Sequence, residues 1–405
     1  MLIRALFFTF VALALLGDLR IFLYVLNRVV WGNHKEEQSP YQWLIYVLPP
    51  LLVVLTALFL PLSTWVDRLM STSLVERVIP ERFEDVAWSI GLAKLGVVWL
   101  IIAATVGIQW IVDRIHVATS AEVQLIGVRS ATSEVVALRR AHIPFASLRR
   151  LGAHNDLYDI EVTRHELFID DLPPAFDGFR IAFLTDTHVT SFMRRAFYRE
   201  CINRVNAFDP DIVLLGGDFV TWRKDIPLMA DVLLTGLTAH DGVYAVLGNH
   251  DYWSNGDDVR TAMEARGVRF IINQNVQLAR NGEHLWLTGI DEVYRGEPDV
   301  AAAFDGIGES EPCIGVSHHP DIIDELDGRR LDLLVCGHTH GGQIRLPFFG
   351  PIVIPSQHEG EFAEGFHRVR GVLMYVSRGI GAVPPLRILC RPEVATFTLR
   401  RGKRV

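Results

Sequence analysis

Five short apolar runs in this chain each end on residues of the kind that bind metal. The run 179–185 (FRIAFLT) leads into Asp186-Thr187-His188, and 211–217 (DIVLLGG) ends at Asp218. VYAVLG ends at Asn249-His250-Asp251, CIGVS at His318-His319-Pro320, and LDLLVCG at His338-Thr339-His340-Gly341. Runs of this length and composition read as buried strands. Further strands are expected at 285–289 and 372–377, with helices at 194–207, 227–237, 256–266 and 320–327. Asp257 and Asp258 at the start of the third helix suit its positive end. The alternation predicts an α/β domain from about residue 158. Such sheets place their ligand sites at the carboxyl ends of the strands. Packing does not ask for ligand-type residues at five separate strand ends; a shared metal site does.

Spacing supports convergence. In Asp186-x-His188 and His338-x-His340 the partners are two residues apart, so in extended backbone they project to the same side. Gly217, Gly248, Gly337 and Gly341 flank these positions and permit tight turns and close backbone approach.

The first third of the chain is of another kind. Residues 39–66 carry no charge and suffice to cross a bilayer. Residues 95–112 form a second uncharged run, and 5–27 a third in which Asp18 and Arg20 interrupt an apolar stretch. The last is too long, and too poorly ended, for a cleaved signal peptide. Asp18 and Arg20 do not share a helix face and read as protein contacts or interfacial residues. The expectation is an all-α transmembrane region of about three helices over 1–117, a juxtamembrane linker over 118–157 and the α/β domain over 158–405. The basic residues of the loops and of the segment after the third span point in opposite directions, leaving the side of the α/β domain open. The arginines after the third span suit either anionic headgroups or solvent.

Residues 118–405 hold thirty Lys/Arg against thirty-eight Asp/Glu, which accounts for the net charge of −8. That balance argues against a duplex nucleic-acid binder. Cys201, Cys313, Cys336 and Cys390 form no CxxC pair or zinc-finger spacing and read as core thiols.

The order Asp-x-His, Gly-Asp, Gly-Asn-His-Asp, His, Gly-His-x-His resembles the signature of calcineurin-like metallophosphoesterases. The similarity extends through GNHDYW (248–253), SHHPD (317–321), GHTHGGQIRLPFFGP (337–351), YVSRGIG (375–381) and RPEVATFTL (391–399) to the membrane-associated bacterial branch. It covers about residues 158–400. It implies a four-layer α-β-β-α sandwich and two divalent ions. One ion would be held by Asp186, His188, Asp218 and His340, the other by Asp218, Asn249, His318 and His338. His318 is preferred to His319 because the family pattern places a proline two residues after its ligand, as Pro320 stands here. His250 resembles the family's general acid. After Asp218 the chain reads FVTW and lacks the Asp-Arg-Gly of the Ser/Thr protein phosphatases, which argues against a phosphoprotein substrate.

The donor set suits hydrolysis of a phosphomonoester, phosphodiester or pyrophosphate bond by a hydroxide bridging two metals. Two divalent ions bring four positive charges and the two aspartates remove two, which leaves a surplus of about two for hydroxide and phosphate. Mixed imidazole and carboxylate ligands favour Mn, Fe or Zn. A lipid-linked substrate is the narrower form of this reading, and a multi-pass protein of the bacterial inner membrane its setting. The other class is a catalytically silent membrane sensor that keeps the fold. Asp251 reads equally as a support for His250 or as a capping residue. Arg345 reads as a surface charge rather than a phosphate contact, and Tyr252 and Trp253 as core. His358 and His367 have no evident partner. Oligomeric state is not legible.

Overall fold

Strands that read as unbroken apolar runs are, in the computed structural model, strands buried on both faces. The structure describes residues 155–402, apart from 327, 347–349, 352, 359 and 360, together with 128–137 and residues 105 and 108. The expected spans 5–27, 39–66 and 95–112 thus lie, but for 105 and 108, outside the described residues. Among the described residues no helix is long and apolar enough to cross a membrane. Residues Ala121–Val405 form one compact unit.

Numbered along the chain, the strands begin with β1 (Val128–Ala137), β2 (Asp159–Ile169), β3 (Arg180–Leu184), β4 (Ile212–Leu215), β5 (Val243–Ala245), β6 (Val268–Phe270) and β7 (Gln274–Arg280). They continue with β8 (Glu283–Ile290), β9 (Cys313–Ser317), β10 (Leu333–Cys336), the short β11 (Arg345–Leu346) and β12 (Gly350–Pro351), then β13 (Gly365–Val369), β14 (Val372–Val376) and β15 (Glu393–Arg401). The helices are α1 (Arg195–Phe208), α2 (Ile226–Leu234), α3 (Asn249–Trp253), α4 (Gly256–Glu264) and α5 (Val300–Ala303).

Two mixed sheets form the body. The first runs β1-β2-β15-β3-β4-β5-β6 and the second β13-β14-β10-β9-β8-β7. β3 to β6 are mutually parallel, as are β8, β9, β10 and β14, so their carboxyl ends lie on one side of each sheet. Between the sheets lies a core of Phe183, Ile212, Leu214, Leu287, Val316, Val335, Tyr375 and Phe397. α1, α2 and α4 cover the outer face of the first sheet through Phe197, Ile202, Met229, Leu233 and Val259. α1 buries Phe197, Tyr198, Cys201, Ile202 and Val205, the stripe of an amphipathic helix.

The outer cover of the second sheet is thinner than a full helical layer. It consists of the four-residue α5 and a 3₁₀ turn over Pro320–Asp324, which pack Phe304, Ile322 and Ile323 on Met374 and Val376. The turn opens on Pro320, inside the span expected as a helix. Within 118–157, read from the sequence as a linker, β1 is an edge strand paired antiparallel to β2. The final strand β15 sits inside the first sheet, parallel to β2 and antiparallel to β3. All four cysteines are free and buried.

Candidate metal centre

The turns leaving β3, β4, β9 and β10 carry most of the site, and after β3, β4 and β10 the backbone is not extended. Asp186, His188, Asp218, His338 and His340 all have positive φ, between 40° and 68°. The extended geometry expected of the Asp-x-His and His-x-His pairs is therefore replaced by left-handed turns. Non-glycine residues there carry a cost of order 1–3 kcal/mol each, and such strain concentrates at functional sites. The chain accepts it because the polypeptide must turn sharply out of each strand while its side chain faces inward. Neighbouring glycines make room. A Cβ at Gly248 would collide with Asp218, and one at Gly337 with Asp186 and Thr185.

The turns brace one another. Asp186 N–H donates to Gly217 O and His188 N–H to Asp218 O, both at 2.9 Å, while Gly337 N–H donates to His318 O at 2.9 Å. Asp186 accepts the His338 N–H on both oxygens at 3.0 Å.

Two groups of donors result, and Asp218 belongs to both. Asp186, His188, Asp218 and His340 each offer an atom within 4.8 Å of the others, as do Asp218, His318 and His338. His188 Nε2 lies 3.1 Å from His340 Nε2, and His318 Nε2 3.1 Å from His338 Nδ1. Asp218 Oδ2 faces His188 at 3.4 Å and His318 at 3.5 Å, while Asp186 Oδ1 faces His340 at 3.4 Å. His318 donates through Nδ1 to Gly216 O at 2.7 Å, turning Nε2 inward. Its neighbour His319 is engaged elsewhere, with Nδ1 accepting from Asp321 N–H and Nε2 donating to Pro355 O.

Asn249 is buried beside this cluster, and its Oδ1 has no hydrogen-bond partner. A buried amide oxygen left so costs free energy unless something electropositive meets it. Burial pushes His188 down to about 3 and drives His338 and His340 well below the ordinary imidazole range. Neutral imidazoles are the form that ligates metal. For His318 burial acts downward too, but the Asp218 carboxylate outweighs it and raises the group to about 10. Imidazoles nitrogen to nitrogen, carboxylates between them and an orphaned amide oxygen are a donor set that fits divalent cations.

The sequence profile of the calcineurin-like phosphoesterase family matches residues 179–342. The chain is 31% identical to the uncharacterized metallophosphoesterase YkuE of Bacillus subtilis, over 60% of this chain and 86% of the relative. The chain belongs to the calcineurin-like metallophosphoesterase family. It is also 29% identical to the phosphodiesterase YaeI of Escherichia coli, over 59% of this chain and 88% of that one. With a Danio rerio transmembrane protein carrying a metallophosphoesterase domain it shares 27% identity, over 64% of this chain and 61% of the relative.

In this metallophosphoesterase His250 stands at the edge of the cluster. Its backbone N–H donates to Asp218 Oδ1 at 2.8 Å, and its ring meets His188 edge-on with centroids 4.7 Å apart. Burial lowers its pKa. Asp251 takes the capping role: Oδ2 accepts from Gly248 N–H, and Oδ1 from Phe219 N–H at 2.8 Å and Val220 N–H at 3.3 Å.

Other expectations are corrected. Trp253 is 53% exposed and packs edge-on against His250, so it is not core; Tyr252, as expected, packs against the core, half-buried, and donates to Asp291. Arg345 is partly buried and pairs with Glu364. His358 meets Asp324 at 2.7 Å, and His367 donates to Glu364 O.

Arg387 escaped the sequence reading. It is fully buried, and its guanidinium donates to the carbonyl oxygens of Arg378, Gly379, Gly381 and His340. It thereby ties the turn of His340 to the strap 378–381, whose Gly381 N–H donates to Asp186 O at 2.7 Å. An arginine among prolines and aliphatics, in PPLRIL, was the available signal. Glu292 was missed as well: it is buried near His318, accepts the Tyr294 and Arg295 N–H groups, and is pushed up to about 7 by burial.

Proposed function

We propose that this chain is a dinuclear metal-dependent phosphoesterase, anchored to a membrane through its first third. One ion would be held by Asp186, His188, Asp218 and His340, the other by Asp218, Asn249, His318 and His338. The observation that carries the reading is Asp218 standing in both donor groups, the position of a bridging carboxylate. Divalent ions bound there supply Lewis-acid polarisation of a phosphoryl oxygen and acidify water, the chemistry phosphate-ester hydrolysis needs.

The chain's own residues divide the remaining work. Asp186 and Asp218 leave the site net positive toward an anionic ester once two divalent ions are held. Asp218 divides its oxygens, Oδ1 to the His250 N–H and Oδ2 to the imidazoles, so the acid and the ligands keep a fixed relation. His250, through a ring nitrogen, delivers the proton to the departing oxygen. Such help is typically worth about 10²–10⁴-fold. Thr221 Oγ1 sits 3.2 Å from His188 Nδ1 and fixes that ring's orientation.

Support for the membrane setting is the uncharged runs 39–66 and 95–112, together with the relative named for its transmembrane character. The test is hydrolysis of a chromogenic phosphate ester by the purified full chain in detergent with added manganese. Metal-dependent turnover that disappears in Asp218→Ala is expected. Equal turnover by that variant would refute the role of this centre, and none by the parent with any of Mn, Fe and Zn would return the chain to a silent sensor.

A further inference from the structure

Among the described residues of Ala121–Val405, the exposed large apolar side chains share one setting. They are Phe192 (69%), Trp222 (42%), Trp253 (53%), Val383 (38%) and Leu389 (55%). Every one lies on a segment that touches the candidate metal centre. Phe192 follows His188 by four residues and meets Trp222 edge-on at 6.0 Å. Trp222 follows Thr221, whose hydroxyl meets His188. The ring of Trp253 lies 4.6 Å from that of His250. Val383 stands two residues beyond Gly381, which is bonded to Asp186, and Leu389 precedes Cys390, whose thiol donates to His340 O.

Charge on the same segments is one-sided. Residues 189–195, 219–225, 249–254 and 381–391 expose Arg194, Arg195, Arg223, Lys224 and Arg391. Their only acids, Asp225 and Asp251, are buried. The chain as a whole carries −8, so the exposed basic side chains of these segments run against its average. Arg195 and Arg223 do meet Asp231 and Asp258 from adjacent helices. Lys224 instead lies 5.3 Å over the Trp222 ring, and Arg295 5.5 Å over Trp253.

Exposed aromatics with cations at their faces match the boundary between headgroups and acyl chains, where amphipathic rings and basic side chains both gain. We propose that this rim seats on the headgroup layer of an anionic lipid bilayer, so that the metal centre opens onto the membrane surface. Its consequence is a preference for phosphate esters lying in the headgroup layer. That consequence rests on the phosphoesterase reading; the seating does not.

The test reads seating alone. The four native cysteines are free and buried, so single cysteines at Phe192→Cys and Leu389→Cys can carry an environment-sensitive fluorophore in the full chain. Thr238→Cys, exposed ahead of the amino end of β5, serves as the control away from the rim. Unfolding temperatures matching the parent certify the folded state. In phosphatidylserine-containing vesicles the two rim probes should brighten severalfold, shift to the blue and be quenched by lipid spin labels, while the control stays wet. Arg194→Glu combined with Lys224→Glu should weaken the response by roughly fivefold or more for each cation lost. Rim probes as wet as the control, or equal burial in pure phosphatidylcholine, would overturn the proposal. So would a response to monomeric short-chain phosphatidic acid without one to vesicles, which would make the rim a seat for a substrate tail.

Discussion

Asp251 gives the strongest test of how the centre is held. Its carboxylate joins two turns: Oδ1 accepts from Phe219 and Val220, just after Asp218, and Oδ2 from Gly248, just before Asn249. Asp251→Ala orphans these N–H groups in a place water does not reach. A buried unsatisfied donor costs about 1–3 kcal/mol, so the two shorter bonds alone, at 2.8 and 3.0 Å, predict a loss of about 2–6 kcal/mol. At roughly 2–4 °C per kcal/mol for a domain of this size, unfolding should fall by roughly 5–20 °C. Asp251→Asn keeps one acceptor oxygen but turns an amide toward the Gly248 N–H, so it should lie between the parent and alanine. Thermal unfolding of the full chain, followed by near-ultraviolet circular dichroism, measures this directly. Manganese titration of the same samples should show affinity lower by about 10–100-fold, the usual cost of losing a group that orients ligands. An Asp251→Ala variant that unfolds within about 2 °C of the parent would show that the carboxylate does not clamp the turns.

Asp218→Ala and His250→Ala should separate binding from chemistry. Calorimetric titration should show the first losing affinity for both ions, and the second keeping them while hydrolysis falls by roughly 10²–10⁴-fold; metal loss in the second would move His250 into the ligand set. Arg387→Lys keeps the charge but not the fork that reaches four carbonyls, and its manganese affinity should drop by about 10–100-fold. Unchanged affinity would reduce Arg387 to packing. Burial pushes the Glu393 carboxyl up, yet the Arg378 guanidinium and the Tyr375 hydroxyl outweigh it and hold the group at about 2. Since the ordinary value is about 4.3, this carboxylate contributes about 3 kcal/mol that is present above about pH 5 and lost as pH falls toward 2. Glu393→Gln should flatten that part of the acid-unfolding curve, and an unaltered slope would contradict the assignment.

How much of this was legible depended on whether a segment's chemistry and its burial agreed. β3, β4, β9 and β10 are buried on both faces, so they read as unbroken apolar runs and gave the site away at their ends. β2 (DIEVTRHELFI) buries alternate residues and shows charge between them, and β15 carries Thr396 and Thr398 among its apolar positions. Both went unread as strands because polar residues interrupt their apolar runs, in β15 the buried Glu393 and Thr396 among them. Arg387 and Glu292 were passed over for the opposite reason: a charged side chain reads as surface by default, and only the apolar neighbours of Arg387 hinted that the fold buries it. The left-handed ligand turns were equally hidden, since only glycine advertises positive φ and here Asp and His adopt it.

Those turns also decide what metal removal should do. A site assembled by its ions falls apart without them, as small zinc domains do. Here the strained turns hold one another through Asp186–Gly217, His188–Asp218 and Gly337–His318 backbone bonds, none of which needs a cation. They rest on two sheets whose shared core is independent of the site. The cations should therefore add only their own binding free energy, about 2.7 kcal/mol for each ion present at a hundredfold excess over its Kd. At roughly 2–4 °C per kcal/mol, two such ions raise the unfolding temperature by roughly 10–20 °C. Chelation with EDTA should return the temperature to its lower value while the near-ultraviolet dichroism below the transition stays intact. Collapse of that signal on chelation would show that the ions build the turns, and that the hydrogen bonds between them are a consequence of binding.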